Sequence, residues 1–337
     1  MGYLTRLNGF KVLKEVTSFR LVFSSGQSGS LVRFFSAAAG EKINLPYATL
    51  LQEDSGWRVT ATAEKGYAQP LVRLMEQSGG DYYGGFKNCN ILSLFPHRGD
   101  PRVPGALFEL LGQKGVEIMG AASSPSAVSV LFPEDALDSV GPELFRFFSF
   151  SGYRTPEDWK AAQKGKEKLY KEVVASYQEK KPKVYGLTCR EGQSLLRLKI
   201  PPLALEQAGK ALGSLSGIIP PLSLFAAGTS DLSEHLVLCY PKPPDPYNPE
   251  AVLAKSLPEA ALSPTTPTAV FFMNGPHFGD RYGIARDLVR ALQERGVEPI
   301  VLNFTVASIV GAVASEDLDA SVDGIMSCFE VPEVNRF

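Results

Sequence analysis

Pro96-His97-Arg98-Gly99-Asp100 returns 180 residues later as Pro276-His277-Phe278-Gly279-Asp280, and the surroundings of the two pentapeptides return with them. Each is followed by an apolar segment of helical period, residues 103–114 and 284–295, then by Gly-Val-Glu at 115–117 and 296–298, then by a strand-like run. Each copy is expected to close on an acidic turn, Glu134-Asp135 and Glu316-Asp317. Fainter echoes come earlier in each half: Gly26-Gln27-Ser28 against Gly192-Gln193-Ser194, and Ile43-x-x-Pro46 against Ile218-x-x-Pro221. Matches that keep one order along the chain indicate duplicated structural units, so the sequence reads as two copies of one plan.

Composition bounds the possibilities. At 337 residues, 44% hydrophobic and 21% charged, the chain has material for two to four packed domains. A net charge of −2 supplies no global field for nucleic acid or an anionic membrane, and neither partner is expected. Cys89, Cys189, Cys239 and Cys328 lie far apart without Cys-x-x-Cys spacing, which reads as buried small hydrophobes in a reducing compartment. The first ten residues show no signal-peptide core, and a cytoplasmic location is expected. The longest uncharged stretch, 211–230, holds Pro220, Pro221, Gly213, Gly217 and Gly228 and reads as a turn and a strand rather than a membrane span.

Periodicity gives the order strand, helix, strand, strand, helix, and then the order starts again. Strands are expected at 19–23, 47–51 and 57–63, with helices at 29–39 and 68–77. A second unit runs from a strand at 90–95 through the 103–114 helix to a strand at 128–132. A third has strands at 183–188, 222–226 and 235–239 and helices at 203–212 and 249–255, with His235 a partly buried residue at a strand start. The fourth has strands at 269–273, 301–304 and 309–313 around the 284–295 helix. Between the halves, Thr155-Pro156-Glu157-Asp158 is a helix start, leading into a Lys-rich connector with an apolar stripe through Trp159, Leu169, Tyr170, Val173, Val174 and Tyr177. Residues 241–267, dense in proline, read as an extended linker around one short helix.

Two helices on one face of a four-stranded sheet is the ferredoxin-like plan. At this level a family resemblance enters. Gly115-Val116-Glu117-Ile118, running into Ala122-Ser123-Ser124-Pro125-Ser126-Ala127-Val128-Ser129-Val130, resembles the second ACT domain of aspartate kinase, with its Gly-Ile-Asn-Ile strand and Ser-Thr-Ser-Glu turn. Gly279-Asp280-Arg281-Tyr282-Gly283-Ile284-Ala285 resembles the Asp-Arg-x-Gly-Ile lead-in of many ACT domains. The resemblance covers 90–140 and 269–325 and reaches the other units through the duplication. It implies an α+β fold of four ferredoxin-like βαββαβ (ACT) units in two duplicated tandem pairs: 1–88, 89–153, a connector helix at 154–182, 183–267 and 268–337. One unit of each pair is expected to be inserted in the other, with 81–95 and 267–273 each serving as the last strand of one unit and the first of the next. Departures from the family pattern are Glu117 and Glu298 in place of the Asn, and Phe304-Thr305-Val306-Ala307 in place of Ser-Thr-Ser-Glu.

A helix start offers unpaired amides to a carboxylate, and glycine lets a ligand approach. The candidate ligand-binding residues are therefore Gly99, Asp100, Arg102, Val103 and Pro104 in the first half and Gly279, Asp280, Arg281, Tyr282, Gly283 and Ile284 in the second. Asp100 and Asp280 either pair with the α-ammonium of a free amino acid or simply cap their helices. By the family pattern, Ser123, Ser124, Asn303 and Thr305 finish the pocket from the facing unit. The turns at 24–28 and 190–194 are weaker candidates because they lack the paired Asp. His97 and His277, each three residues before that Asp, supply with it only two ligands, so no metal, cofactor or catalytic residue is expected.

No Gly-x-x-x-x-Gly-Lys, His-Glu-x-x-His or Gly-x-Ser-x-Gly motif occurs, and no Lys-Phe-Gly-Gly-type nucleotide segment opens the chain. Aspartate kinase activity is not expected. The sequence therefore reads as a stand-alone sensor that binds a small-molecule amino acid between ACT units; the alternatives are a structural dimerisation scaffold or regulatory subunit of an amino-acid biosynthetic enzyme that binds no ligand itself, and an enzyme of unrecognised type. A homodimer is expected from the side-by-side pairing of ACT sheets.

Overall fold

Three strands outrun the apolar segments that announce them, and their length organises the molecule. The computed structural model describes residues 4–24, 28–53, 55–163, 181–201, 204–229, 233–276, 278–279, 281–306 and 308–337, the side chains of 28 and 82–84 excepted. The first half runs β1 (Thr5–Leu7), β2 (Gly9–Ser24), α1 (Ser28–Gly40), β3 (Tyr47–Glu53), β4 (Gly56–Glu64), α2 (Ala68–Ser78), β5 (Asp81–Phe95), α3 (Arg102–Gln113), β6 (Gly120–Ser123), β7 (Val128–Pro133), α4 (Leu137–Phe147) and β8 (Phe148–Phe150). After α5 (Pro156–Gln163) the second half runs β9 (Gly186–Ile200), α6 (Leu205–Ser214), β10 (Leu224–Thr229), β11 (Glu234–Pro241), α7 (Pro249–Ser256), β12 (Ala261–Leu262), β13 (Thr266–Asn274), α8 (Ile284–Glu294), β14 (Val301–Phe304), β15 (Ser308–Ala314), α9 (Leu318–Cys328) and β16 (Val334–Arg336).

Strand β2 pairs with β4 through Val16–Ser24, whereas Gly9–Leu13 pair only with the far end of β5. The ladder shifts between Leu13 and Val16, where Glu15 stands at φ +59°. Strand β9 repeats the device: Gln193–Ile200 pair with β11, Gly186–Arg190 pair with β13, and Gly192 stands at φ +62° between them. Each kinked strand thereby enters two four-stranded sets. In the first half these are β5-β2-β4-β3 and β2-β5-β7-β6; in the second, β9-β13-β15-β14 and β12-β9-β11-β10.

The sets join across the halves. Strand β3 pairs with β14 through Leu51↔Val301 to Ala48↔Phe304, and β6 pairs with β10 through Ala122↔Ala226 to Gly120↔Gly228. The result is one 14-stranded sheet system, folded into two arrays that stack on one another. Because strand side chains alternate, the same strands feed both faces. On β14, Leu302 and Phe304 pack beneath the helices, and Val301 packs with Leu51, Leu195 and Leu224 between the arrays. Burial on both faces accounts for the near-continuous apolar runs of 47–51 and 301–304.

One helical layer, α1, α2, α8 and α9, covers the array that contains the β3–β14 join; α3, α4, α6 and α7 cover the other. In the second layer α3 and α6 meet backbone to backbone. A Cβ on Gly209 would fall 2.3 Å from the Glu109 amide nitrogen, and one on Gly105 would fall 2.7 Å from the Gly209 carbonyl oxygen. Only glycine permits this approach.

Several expectations need correction. The strands expected at 19–23 and 90–95 are parts of β2 and β5, and the one expected at 183–188 begins only at Gly186, as the start of β9; the apolar pattern alone under-reads all three because their other segments carry polar residues. Residues 190–194 are not a turn but the kinked middle of β9. Gly192 is equivalent to Glu15, not to Gly26, and Ser25, Gly26 and Gln27 lie outside the described residues. The acidic pairs at 134–135 and 316–317 do not close each copy. They form single turns that lead into α4 and α9, where carboxylates favour the helix N-terminus. Those two helices were hidden by sparse apolar spacing and, in α4, by Pro142. The start of α5 follows its expected cap: Thr155 Oγ1 accepts from the Asp158 amide, and Asp158 Oδ2 accepts from the Thr155 amide, both at 3.1 Å. The rest of the connector, 164–180, lies outside the described residues, as do His277 and Asp280.

Candidate ligand-binding recess

Where the helix layers of the two halves meet across the β3–β14 join, a shallow recess opens to solvent, the space between its walls being about 430 Å³ with open solvent included. One wall belongs to the first half: Phe35, Ala38 and Ala39 near the end of α1, and Ile43, Leu45 and Ala48 on the way into β3. The other belongs to the second half: Phe278 and Arg281 in the turn, then Gly283, Ile284, Ala285 and Arg286 at the start of α8. Phe304, Thr305 and Ile309, at the β14–β15 corner, form the rest of the lining.

Local sequence explains the shape. Gly283 sits at φ +87° as the N-cap of α8 and brings no side-chain acceptor to the helix start. A Cβ there would lie 3.2 Å from Arg286 Nη2 and 3.6 Å from Ala39 Cβ, so the small residue keeps the wall close to α1. Arg286 is steadied by Asp287, whose Oδ1 accepts from Nε at 2.8 Å and lies 2.7 Å from Nη2. Asn44 Nδ2 donates to the Gly279 carbonyl, which fixes the amide's orientation and tethers the turn to the first half. Its Oδ1 is enclosed and has no donor.

Of the residues expected at this turn, Arg281, Gly283, Ile284 and Thr305 line the recess, while Tyr282 is exposed and Gly279 packs on Val306. Asn303 does not face it. Strand alternation sends its side chain between the stacked arrays, where Nδ2 donates to the Phe225 carbonyl at 3.2 Å. Sequence reasoning missed the entire opposite wall, Phe35 to Ala48. The one available signal was Ile43-x-x-Pro46, an echo whose position between α1 and β3 is matched by Ile218-x-x-Pro221 between α6 and β10.

The first-half turn is built differently. His97 Nδ1 accepts from the Gly99 amide at 3.1 Å, and Nε2–H donates to the Ser124 carbonyl. Burial pushes the His97 pKa below the ordinary histidine value, which keeps the ring neutral in this role. Asp100 accepts from the Arg102 amide at 2.9 Å and is held by the Arg102 guanidinium at 2.6 Å, so its carboxylate serves the helix start. The Leu222 amide donates to the Gly99 carbonyl at 2.7 Å, and Pro221 and Leu222 seat against the turn. Val103 and Pro104 are buried, Ser123 Oγ accepts from the Phe225 amide at 2.7 Å, and Ser124 Oγ accepts from Ala127 at 3.1 Å. Ser123 and Ser124 thus belong to the same half as the 99–104 turn; what faces each turn is the opposite half of the chain.

A separate ionisable cluster lies where the β3–β4 hairpin meets β11. Arg58 binds Glu53 through both ends of its fork at 2.8 and 2.9 Å, and His235 Nδ1 lies 3.2 Å from Glu53 Oε1. Burial alone would raise the Glu53 pKa, yet the hydrogen bonds and charge of Arg58 bring it below the usual value. Among the described residues, no group of three or more His, Cys, Asp or Glu is placed to hold a metal ion. No helix among them is long and apolar enough to cross a membrane.

The sequence matches no protein-family profile and no curated protein. Solved structures supply the comparison. Aspartate kinase from Synechocystis matches 96% of this chain and 56% of its own with a TM-score of 0.75 at 14% identity. The ligand-free regulatory subunit of aspartate kinase from Thermus thermophilus is matched over 42% of this chain and 99% of its own, with a TM-score of 0.38 at 19% identity. A putative C-terminal regulatory domain of aspartate kinase from Porphyromonas gingivalis is matched over 42% and 98%, with a TM-score of 0.32 at 18% identity. The likeness to the Synechocystis enzyme is one of fold, and this chain spans 56% of that enzyme's length. The mixed α+β architecture with its large sheet fits the ACT-like ferredoxin fold.

Proposed function

We propose that these residues form a regulatory module of four ACT-like units that binds a free amino acid in the recess between α1 and the start of α8. The observation that carries the reading is the recess itself: a turn nominated by its sequence is one wall, and the second wall comes from the other half of the chain. A ligand there touches both halves at once, and binding is thereby coupled to how the helices of the two halves sit against each other. The unit boundaries we assign are those of the sequence, 1–88, 89–153, 183–267 and 268–337, with each kinked strand lending its first segment to the later unit of its half. We assign no catalytic step to the module.

A second reading applies to the other helix layer. The backbone contact of α3 with α6 and the closure of the 99–104 turn by Leu222 favour a scaffold role for that interface. Both readings can hold in one chain, with one interface sensing and one holding.

Thermal-shift and calorimetric titration of the full chain against the twenty amino acids tests the proposal. A ligand at a hundred times its Kd is expected to stabilise the fold by about 2.7 kcal/mol. Arg281→Gln is expected to weaken binding at least tenfold, and Arg102→Gln to leave it unchanged. If no amino acid gives heat or a shift in Tm, the sensor reading falls and the scaffold reading stands.

A further inference from the structure

We infer that Glu53, Arg58 and His235 form an acid-sensitive clasp between the two halves, in which protonation of His235 loosens the seat of the β3–β4 hairpin on β11. None of the three lines the recess, and the inference is independent of the sensor reading. The hairpin that carries Glu53 and Arg58 ends just past the β3–β14 ladder and leans on the second half at two further points. Leu51 Cδ1 and Arg58 Cδ crowd Gly228 on β10, where an added Cβ would lie 3.0 and 3.6 Å from them, and Glu53 Oε1 meets His235 Nδ1 on β11 at 3.2 Å. Gly228 and His235 are register partners, so both contacts fall on one spot of the second half.

The charges at that spot suit a neutral histidine. Arg58 spends both ends of its fork on Glu53, so the one carboxylate of the cluster is paired before the ring is charged. A neutral His235 is satisfied there: Nδ1–H faces Glu53, and Nε2, 3.0 Å from Ser233 Oγ, can accept from the hydroxyl. On β9 the exposed Lys199 is the register partner of His235. Strand β10 brings no titratable group, and alternation sends Glu234 to the opposite face of β11. Protonation therefore adds a third cation, beside Arg58 and Lys199, to a single carboxylate. The side chains of Glu53, Arg58 and His235 are no more than 20% exposed, so water screens the added repulsion poorly. Burial first, and then the Arg58 and Lys199 charges, hold the His235 pKa below the ordinary histidine value against the pull of Glu53.

Linkage fixes the sign. An unfolded chain takes up the proton near 6.5 and the folded chain resists it, so stability that is fully present above 6.5 is lost as pH falls through the lower folded value. Proton magnetic resonance of the histidines, with His235 assigned by the signal that His235→Gln removes, and thermal melts of the full chain from about pH 7 to about pH 5 decide it. The His235 midpoint is expected below 6.5, and the wild type is expected to lose more Tm on acidification than His235→Gln, whose amide stays neutral throughout. The opposing slope from Glu234 is common to both proteins and cancels in the difference. Hydrogen exchange of the β3–β4 hairpin, corrected for the intrinsic rate, is expected to quicken in acid in the wild type and not in His235→Gln. Lys199→Met, at an exposed position, is expected to raise the midpoint towards 6.5 and to shrink the acid loss, which a merely structural histidine would not show. Should His235→Gln not fold, the signal that shifts in Lys199→Met identifies His235 and its midpoint decides. A midpoint at or above 6.5, an acid loss equal in wild type and His235→Gln, or a midpoint that Lys199→Met leaves in place overturns the clasp.

Discussion

Glu234 shows how a single side chain carries a pH dependence. It is 4% exposed, its Oε2 has no hydrogen-bond partner, and burial, aided by the charge of Glu117, pushes its carboxyl up to about 8. The folded state therefore keeps this proton between the ordinary 4.5 and about 8, where an unfolded chain has released it. The stability contributed is fully present below about 4.5 and is lost as pH rises through about 8. Glu234→Gln is expected to flatten that slope and to stabilise the protein by about 1–3 kcal/mol at pH 8. Denaturant melts at pH 5 and pH 8 check it; an equal effect at both would refute it. At the kinks, Gly192 at φ +62° and Glu15 at φ +59° hold the same backbone shape with different residues. Gly192→Ala is expected to cost about 1–2 kcal/mol, since a Cβ is disfavoured in the left-handed region.

Among the elements, α3 and α6 are the pair whose spacing is set by the smallest residues. Glycines 105, 112 and 209 sit at the crossing, and a Cβ at any of them would enter the partner's backbone. Gly209→Val is expected to force the helices apart and to destabilise by about 3 kcal/mol or more, the upper range for overpacking, with Tm by calorimetry as the measure. The same substitution at Gly213, beside which a Cβ meets nothing within 4 Å, is expected to cost little, since valine is no poorer a helix former than glycine. Between α1 and α8 the approach is looser, and the recess occupies the difference.

In the whole molecule, the joins that complete the sheet run between halves and not within them. Strand β3 needs β14, β6 needs β10, and Asn303 reaches across the stacked arrays to Phe225. Each half expressed alone would expose β3 and β6, or β10 and β14, as open edges. Fragments 1–163 and 181–337 are expected to aggregate separately and to recover a monodisperse complex with the far-UV signature of the intact chain when refolded together. Two soluble, independently cooperative fragments would contradict this. The side-by-side pairing for which a homodimer was expected is supplied here inside one chain.

How much of this was legible varies with the range of the interaction. Helix and strand periods, the cap at Thr155 and the 180-residue echo are set by residues a few positions apart or by copied segments, and the sequence determined them. The lengths of β2, β5 and β9 were not legible, since their polar halves are held by partners from the other end of each half. At the two pentapeptides the sequence named one wall of a recess and one turn that proves to be tied shut by His97, Asp100 and Leu222. Which of two similar turns is open depends on the residues that face it, and those stand some 120 to 245 positions away along the chain. Local sequence fixes the backbone of a turn; only the tertiary pairing of the halves, which brings Leu222 to one turn and Phe35, Ala39 and Asn44 to the other, decides whether there is room beside it.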